Sequence, residues 1–356
     1  MASVPSPQLF PPRPALPVLG QQRDITYYDS HAASVLNDTR MTGMAYWSVN
    51  PYTGCAFGCA YCYARYAHRY VMERATTGAR LPADQAAAIA AIPPWLAFER
   101  HIVVKRNAPD ALARALRHGS ERHLALLRGE MILIGTATDP YQPAERRYRV
   151  TRGILEVLAQ HPGLSIGIIT KSPLITRDAD LLARIARRSQ LSVHLSLITL
   201  DRALARRLEP RAPTPDARLR AIRRLADAGV TTGINIMPVL PGITDDPAML
   251  DALVRAAAEA GAARVGVCAL RLQFEARKRY LPFIAEEFPQ LAARYESTYA
   301  RDSNAPERYR KGLSRYVKQL GRKYGIRVGE RAEDEALDGL VPAAAPDPQL
   351  PLPFAG

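Results

Sequence analysis

The chain has 356 residues, 47% hydrophobic and 23% charged, a profile that excludes collagen-like, coiled-coil and wholly disordered sequences. Its 48 Lys and Arg stand against 34 Asp and Glu, a net +14 that permits nucleic-acid, membrane-surface or anionic-substrate binding and selects none of them. No apolar run approaches the ~20 residues of a membrane span, and Met1–Pro7 lacks the basic and apolar portions of a signal peptide, so a cytoplasmic protein with no membrane association is expected.

Residues 1–24 carry six prolines and are a poor candidate for packed structure, as is the Ala/Pro-rich tail from about 332. Between them, strand-type runs begin at Tyr46–Asn50 and continue through Met131–Thr136, Leu164–Thr170, Leu191–Ile198, Thr231–Pro238 and Arg264–Leu270. An extra strand is expected at His101–Lys105. Helical patterns fall at Thr151–Gln160, Asp178–Ser189, Asp216–Ala228 and Ala248–Ala260, and Gly229 and Gly261 follow the last two where a C-cap glycine belongs. Alternation of this kind implies parallel strands with right-handed crossovers. The expected fold is α/β, a partial (β/α)6 TIM-type barrel with a C-terminal helical extension, with a doubly wound sheet as the alternative that periodicity leaves open. The expected divisions are a proline-rich segment over 1–40, a core barrel over 41–270, a helical extension over 271–331 and a disordered tail over 332–356. In either architecture the chemistry lies at the carboxyl ends of the strands.

The first strand runs into Asn50-Pro51-Tyr52-Thr53-Gly54-Cys55, and Cys55, Cys59 and Cys62 follow a C-x3-C-x2-C spacing on one short loop. The only other cysteine is Cys268, so a secreted disulfide framework is excluded. Three thiolates on one loop can hold three irons of a cubane cluster and leave the fourth iron open. Structural zinc normally takes four ligands in two pairs, and three unligated buried cysteines are the remaining alternative.

This loop, with an aromatic residue just before its last cysteine, resembles the signature of radical S-adenosylmethionine (SAM) enzymes. The segments Asn-Pro-Tyr-Thr-Gly-Cys, Cys-Tyr-Ala-Arg, Thr-Asp-Pro-Tyr-Gln-Pro-Ala-Glu, Leu-Glu-Pro and Pro-Val-Leu-Pro-Gly-Ile-Thr-Asp, within about residues 45–270, resemble the spore photoproduct lyase-like branch, in particular an actinobacterial-type group. The resemblance implies a [4Fe–4S] cluster on Cys55, Cys59 and Cys62, bound SAM, and reductive cleavage of SAM to a 5′-deoxyadenosyl radical that abstracts hydrogen from a substrate. It also implies an electron donor such as flavodoxin or ferredoxin.

The same resemblance, with the residues at the strand ends, points to SAM contacts. Tyr61 packs the adenine; Thr138 and Asp139 replace the family's Gly-Gly-Glu stretch, with a turn role before Pro140 as the rival for Asp139. Lys171 is placed to pair with the SAM carboxylate, and Ser196, Glu209 and Asn235 to contact its polar groups, each with a purely structural role as its rival. Two departures stand out. Thr136-Ala137-Thr138 occupies the place of the cysteine that returns hydrogen in spore photoproduct lyase, and Arg211 stands where the group usually has glycine. Cys268, at the end of the sixth strand, is the candidate donor in its place, with core packing as its rival. His68 is read as structural.

The C-terminal extension carries an apolar stripe of Leu313, Val317, Leu320 and Tyr324 opposite Lys311, Arg315, Lys318 and Arg322. That basic face is either a solvated helix surface or a nucleic-acid patch. With the analogy to a DNA-repair enzyme, it makes nucleic acid the leading substrate expectation. The alternative function is a nucleic-acid-binding protein whose cysteines hold structural metal.

Overall fold

The structure, a computed structural model, describes residues 18–38, 45–66 and 83–329. The tail over 332–356, expected to be disordered, His68 and the start of the proline-rich segment lie outside these residues.

The strands in chain order are β1 (Val18–Gln22), β2 (Ile25–Ser30), β3 (Leu36–Asn37), β4 (Trp47–Val49), β5 (Tyr52–Thr53) and β6 (His101–Lys105). They continue as β7 (Met131–Ile134), β8 (Ser165–Thr170), β9 (Gln190–Ser196), β10 (Thr231–Val239), β11 (Arg264–Ala269) and β12 (Arg327–Val328). The main sheet runs β3-β4-β7-β8-β9-β10-β11-β12. Every pair from β4 to β12 is parallel, and β3 joins antiparallel at one edge. Strand order never reverses along the parallel run. Right-handed crossovers in one direction place all connections on one face, which is barrel winding and removes the doubly wound alternative. The sheet stays open, since β3 and β12 are not paired with each other.

The pleat explains which residues reach the site. Val193 and Leu195 of β9 and Ile234 and Ile236 of β10 are fully buried on one face, under the helices. His194, Ser196 and Asn235 alternate onto the other face. In register, Ser196 sits beside Asn235 and Asn235 beside Gly266, while Thr170 sits beside Leu195. Lys171 is therefore next in line with Ser196 and Asn235 along one row at the carboxyl ends.

The helices that cover the apolar face are Val150–Leu158, Ala179–Ala186, Pro215–Asp227 and Pro247–Glu259, close to the expected spans. Gly229 and Gly261 adopt φ of +79° and +89° after the last two, as capping requires. The C-terminal helix Glu307–Tyr324 buries Leu313, Val317 and Leu320, each contributing roughly 1.5–3 kcal/mol. Tyr324 is half-buried, and its hydroxyl donates to Asp251 Oδ2 at 2.7 Å. Among the described residues, no helix is long and apolar enough to cross a membrane.

A second sheet runs β1-β2-β6-β5. His101–Lys105 is a strand as expected, yet it pairs with β2 and β5 instead of the main sheet. The expectation that residues 1–24 do not pack fails from Val18 onward. β1 and β2 form a hairpin through Arg23 and Asp24, and Ile25, Tyr27 and Tyr28 are buried. Proline content misleads here because the last proline of the stretch, Pro17, stops short of the alternating Ile25–Tyr28 run, which finds a partner strand far along the chain.

Candidate active site

The cysteine loop leaves β5 at the edge of the second sheet and is held almost entirely from outside itself. Cys55 N donates to Phe98 O at 2.9 Å and Ala60 N to Leu208 O at 3.0 Å. Gly54 O accepts from Thr138 Oγ1 at 2.6 Å and Gln142 Nε2 at 3.1 Å, and Ala56 N donates to Gln142 Oε1 at 3.0 Å. Arg211 Nε donates to Ala56 O at 2.6 Å, and Arg65 Nη2 to Cys59 O at 2.8 Å. A loop lacking its own ladder must find backbone partners elsewhere when buried, and these side chains supply them. Gly58 sits at φ +65°, and a Cβ there would lie 2.2 Å from Glu99 Oε2 and 2.6 Å from Arg211 Nη2.

The three cysteines are free; Cys55 and Cys59 are buried and Cys62 is partly so. Burial pushes the Cys59 thiol up to about 12. Burial also pushes Cys55 up, helped by the Asp139 carboxylate and the neighbouring thiols. Thiols this reluctant to ionise need a strong local cation to become thiolates, and a coordinated metal is such a cation. Among the described residues, no three His, Cys, Asp or Glu side chains converge to hold a single metal ion. A cubane seats each thiolate on a different iron, so three thiols that share a loop without converging on one point fit it as a donor set.

On the strand side of the loop lies a buried polar network. The Tyr61 hydroxyl donates to Glu209, and Glu209 pairs with Arg218. Lys171 Nζ lies 3.8 Å from Glu209 Oε1 and 5.5 Å from the Tyr61 ring centre. Burial works against ionisation of Glu209, but Arg218 and Lys171 outweigh it and hold the carboxyl below its usual range. Burial likewise opposes the Lys171 ammonium, and Cys59 and Glu209 overcome it. Asp139 accepts from Lys171 N at 2.7 Å, Thr170 Oγ1 at 2.7 Å and Tyr141 N at 2.9 Å. Burial raises the Asp139 carboxyl above its usual range in spite of those bonds.

Of the residues singled out from sequence, Tyr61, Lys171 and Glu209 meet directly, and Asp139 joins them through the Lys171 backbone. Thr138 is spent on the cysteine loop through Gly54 O. The Ser196 carbonyl accepts from Arg218 Nη1 at 2.9 Å. Asn235 Oδ1 lies 3.1 Å from His194 Nδ1, a strand-to-strand contact. Cys268 is partly exposed at the end of β11, close enough to Tyr63 to act on its hydroxyl electrostatically. Arg211 takes no positive φ, so replacing glycine there leaves the turn intact and adds a side chain that grips the loop.

Sequence reasoning missed Arg218, Gln142, Arg65 and Glu99, all buried. Arg218 had a legible signal: it occupies the apolar stripe of its helix with Ala221, Ile222 and Leu225. A charged residue on such a stripe needs a buried partner. Glu99 gave none, because its partners come from three separate parts of the chain.

The superfamily model for radical SAM proteins matches residues 49–253, which hold the whole cysteine loop and the network beside it. The chain belongs to the radical SAM superfamily. Radical SAM proteins use a [4Fe–4S] cluster and SAM, and generally need a reductant such as flavodoxin or ferredoxin. An uncharacterised protein of Mycobacterium tuberculosis is 34% identical over 324 residues, covering 90% of this chain and 88% of its own. An uncharacterised protein of Methanocaldococcus jannaschii is 28% identical over 60% of this chain and 68% of its own. A spore photoproduct lyase variant with bound AdoMet and dinucleoside spore photoproduct shares the fold, with TM-score 0.59 at 15% identity, covering 85% of this chain and 81% of that one.

Proposed function

We propose that this radical SAM protein cleaves SAM reductively and uses the resulting radical to abstract hydrogen from an organic substrate, with Cys55, Cys59 and Cys62 as the cluster ligands. The observation that carries the reading is three free thiols on one loop, backed by a buried Lys171–Glu209–Tyr61–Arg218 network at the strand ends. When bound, the cluster supplies one electron that splits SAM into methionine and a 5′-deoxyadenosyl radical.

The chain's own residues bind and orient. Lys171 offers its ammonium to the SAM carboxylate, held in place by Glu209. Asp139, with both oxygens already accepting hydrogen bonds, sets the Lys171 backbone and would offer its carboxylate to the SAM ammonium. Tyr61, its hydroxyl fixed by Glu209, offers its ring to the adenine. Ser196 and Asn235 line the same row, and Thr138 keeps the loop at its height. Cys268, partly exposed beside Tyr63, is the proposed hydrogen donor.

Nucleic acid is the proposed substrate class, supported by the net charge of +14 and by the exposed Lys311, Arg315 and Arg322. With Thr136 in place of a thiol, repair through a strand-two cysteine is not part of the proposal. The cytoplasm remains the proposed location and flavodoxin or ferredoxin the proposed donor. Anaerobic reconstitution with iron and sulfide, followed by dithionite and SAM, should yield methionine and 5′-deoxyadenosine. A Cys55→Ala/Cys59→Ala/Cys62→Ala variant should hold no cluster absorbance and yield only background product. SAM cleavage retained in that variant would overturn the reading.

A further inference from the structure

We infer that the cleft between the β1–β2 hairpin and the helix Ala144–Tyr148 is where an acidic one-electron carrier protein of the flavodoxin kind docks. The inference rests on the proposed function and assigns it a surface.

The cleft has a volume of about 240 Å³, and Gln21, Tyr27, Pro143, Arg147 and Tyr148 are among its lining. It backs directly onto the cysteine loop. Pro143 follows Gln142, whose side chain bonds Ala56 N and Gly54 O. Tyr27 lies on β2, and β2, β6 and β5 are successive neighbours in the sheet. Two strand spacings, roughly 10 Å, therefore separate Tyr27 from the strand that runs into Cys55. The Tyr27 and Tyr148 rings are 5.8 Å apart, and the buried Tyr148 hydroxyl has no hydrogen-bond partner among the described residues.

The rim is cationic. Arg23, Arg106 and Arg147 are exposed, and Arg100 and Arg211 are partly so. Against these five stand Asp24, paired with Arg100 at 3.5 Å and Arg211 at 3.7 Å, Asp29, paired with Arg106 at 3.7 Å, and Glu99, paired with Arg211 at 2.9 Å. The surplus of positive charge faces solvent, where it steers an acidic partner and fixes its register. The opposite side of the loop, toward Lys171 and Tyr63, is the side the proposed function gives to SAM and substrate. Carrier and substrate would therefore approach from different sides. In the step itself one electron leaves the reduced carrier and reduces the loaded centre by one; no bond forms or breaks.

The test compares two reductants on the reconstituted protein. An Arg23→Glu/Arg106→Glu/Arg147→Glu variant should form 5′-deoxyadenosine at the wild-type rate with dithionite. With flavodoxin hydroquinone its KM for the carrier should rise at least about 10-fold, and flavodoxin binding followed by interferometry should weaken to match. Unchanged flavodoxin binding and an unchanged flavodoxin-driven rate in the variant overturn the proposal. So does loss of single-stranded DNA binding with the flavodoxin-driven rate intact, which makes the rim a nucleic-acid surface. Wild-type protein driven by dithionite and not by flavodoxin also overturns it, leaving the enzymatic reading in place. No turnover with either reductant sinks that reading instead.

Discussion

The cysteine loop is held between two sets of charges that differ in kind. On the strand side, Asp139 and Glu209 are matched by Lys171 and Arg218, so the set is formally neutral. On the outer side Glu99 alone gathers Arg211 at 2.9 Å, Arg65 at 3.7 Å and Arg279 at 3.8 Å. That set carries a surplus of two positive charges, and two of its arginines also hold loop carbonyls. The neutral side can present donors and acceptors to a zwitterionic ligand without imposing a net field. The cationic side favours negative charge on the loop, which three thiolates would bring. On the proposed function, recognition belongs to one side and stabilisation of the anionic loop to the other.

The largest break is expected on the neutral side. Arg218→Leu leaves Glu209 buried against Tyr61 with only the more distant Lys171, and should cost about 3–5 kcal/mol in urea unfolding of the metal-free chain. A loss under 1 kcal/mol would mean that the network is not the buried ion pair described. Behind it, Asp178 holds Arg152 at 2.6 Å and Arg177 at 2.8 Å and accepts from Tyr141 next to the Asp139 turn. Burial alone would raise the Asp178 carboxyl, but Arg177 and Arg152 hold it below its usual range. A carboxyl depressed by folding stabilises fully above its unfolded value near 4 and less as pH falls through its folded one. Asp178→Asn should therefore cost about 3 kcal/mol at pH 7, with the gap to wild type narrowing below pH ~4. A gap independent of pH would remove the ionic account.

The outer side should break more gently. Gly58→Ala forces a side chain into positive φ and against the Glu99–Arg211 pair, at about 1–3 kcal/mol. The cost should appear as a lower unfolding midpoint, and Gly58→Ala in an Arg211→Gln background should recover part of it by clearing the collision. Arg211→Gln alone should change the fold least and weaken iron retention against a chelator about 10-fold. Equal iron retention would show that the outer clamp does not bear on the loop.

Much of this was legible from local pattern. The parallel strands follow from alternation, and Lys171 and Ser196 fall at strand ends because the pleat has period two. The three cysteines announce themselves by spacing. Distant pairing was not legible. β6 reads as a strand from His101–Lys105, but nothing local says that it joins β2 and β5. Glu99 ends a short helix like any surface glutamate, and only the fold brings Arg65, Arg211 and Arg279 to it. Arg211 itself stood out only as a departure from the usual glycine, since its grip on Ala56 O and Glu99 depends on segments more than a hundred residues away.

That reach has a consequence for assembly. Glu99 joins the loop to Arg279, which lies on the helix Phe274–Glu287 beyond the last of the six βα units. During synthesis at ~5–20 residues per second, Cys62 emerges roughly 10–40 s before Arg279. The clamp around the thiols is completed only once about four-fifths of the 356 residues have been made, so a cluster delivered before then meets a loop that lacks one of its three arginines.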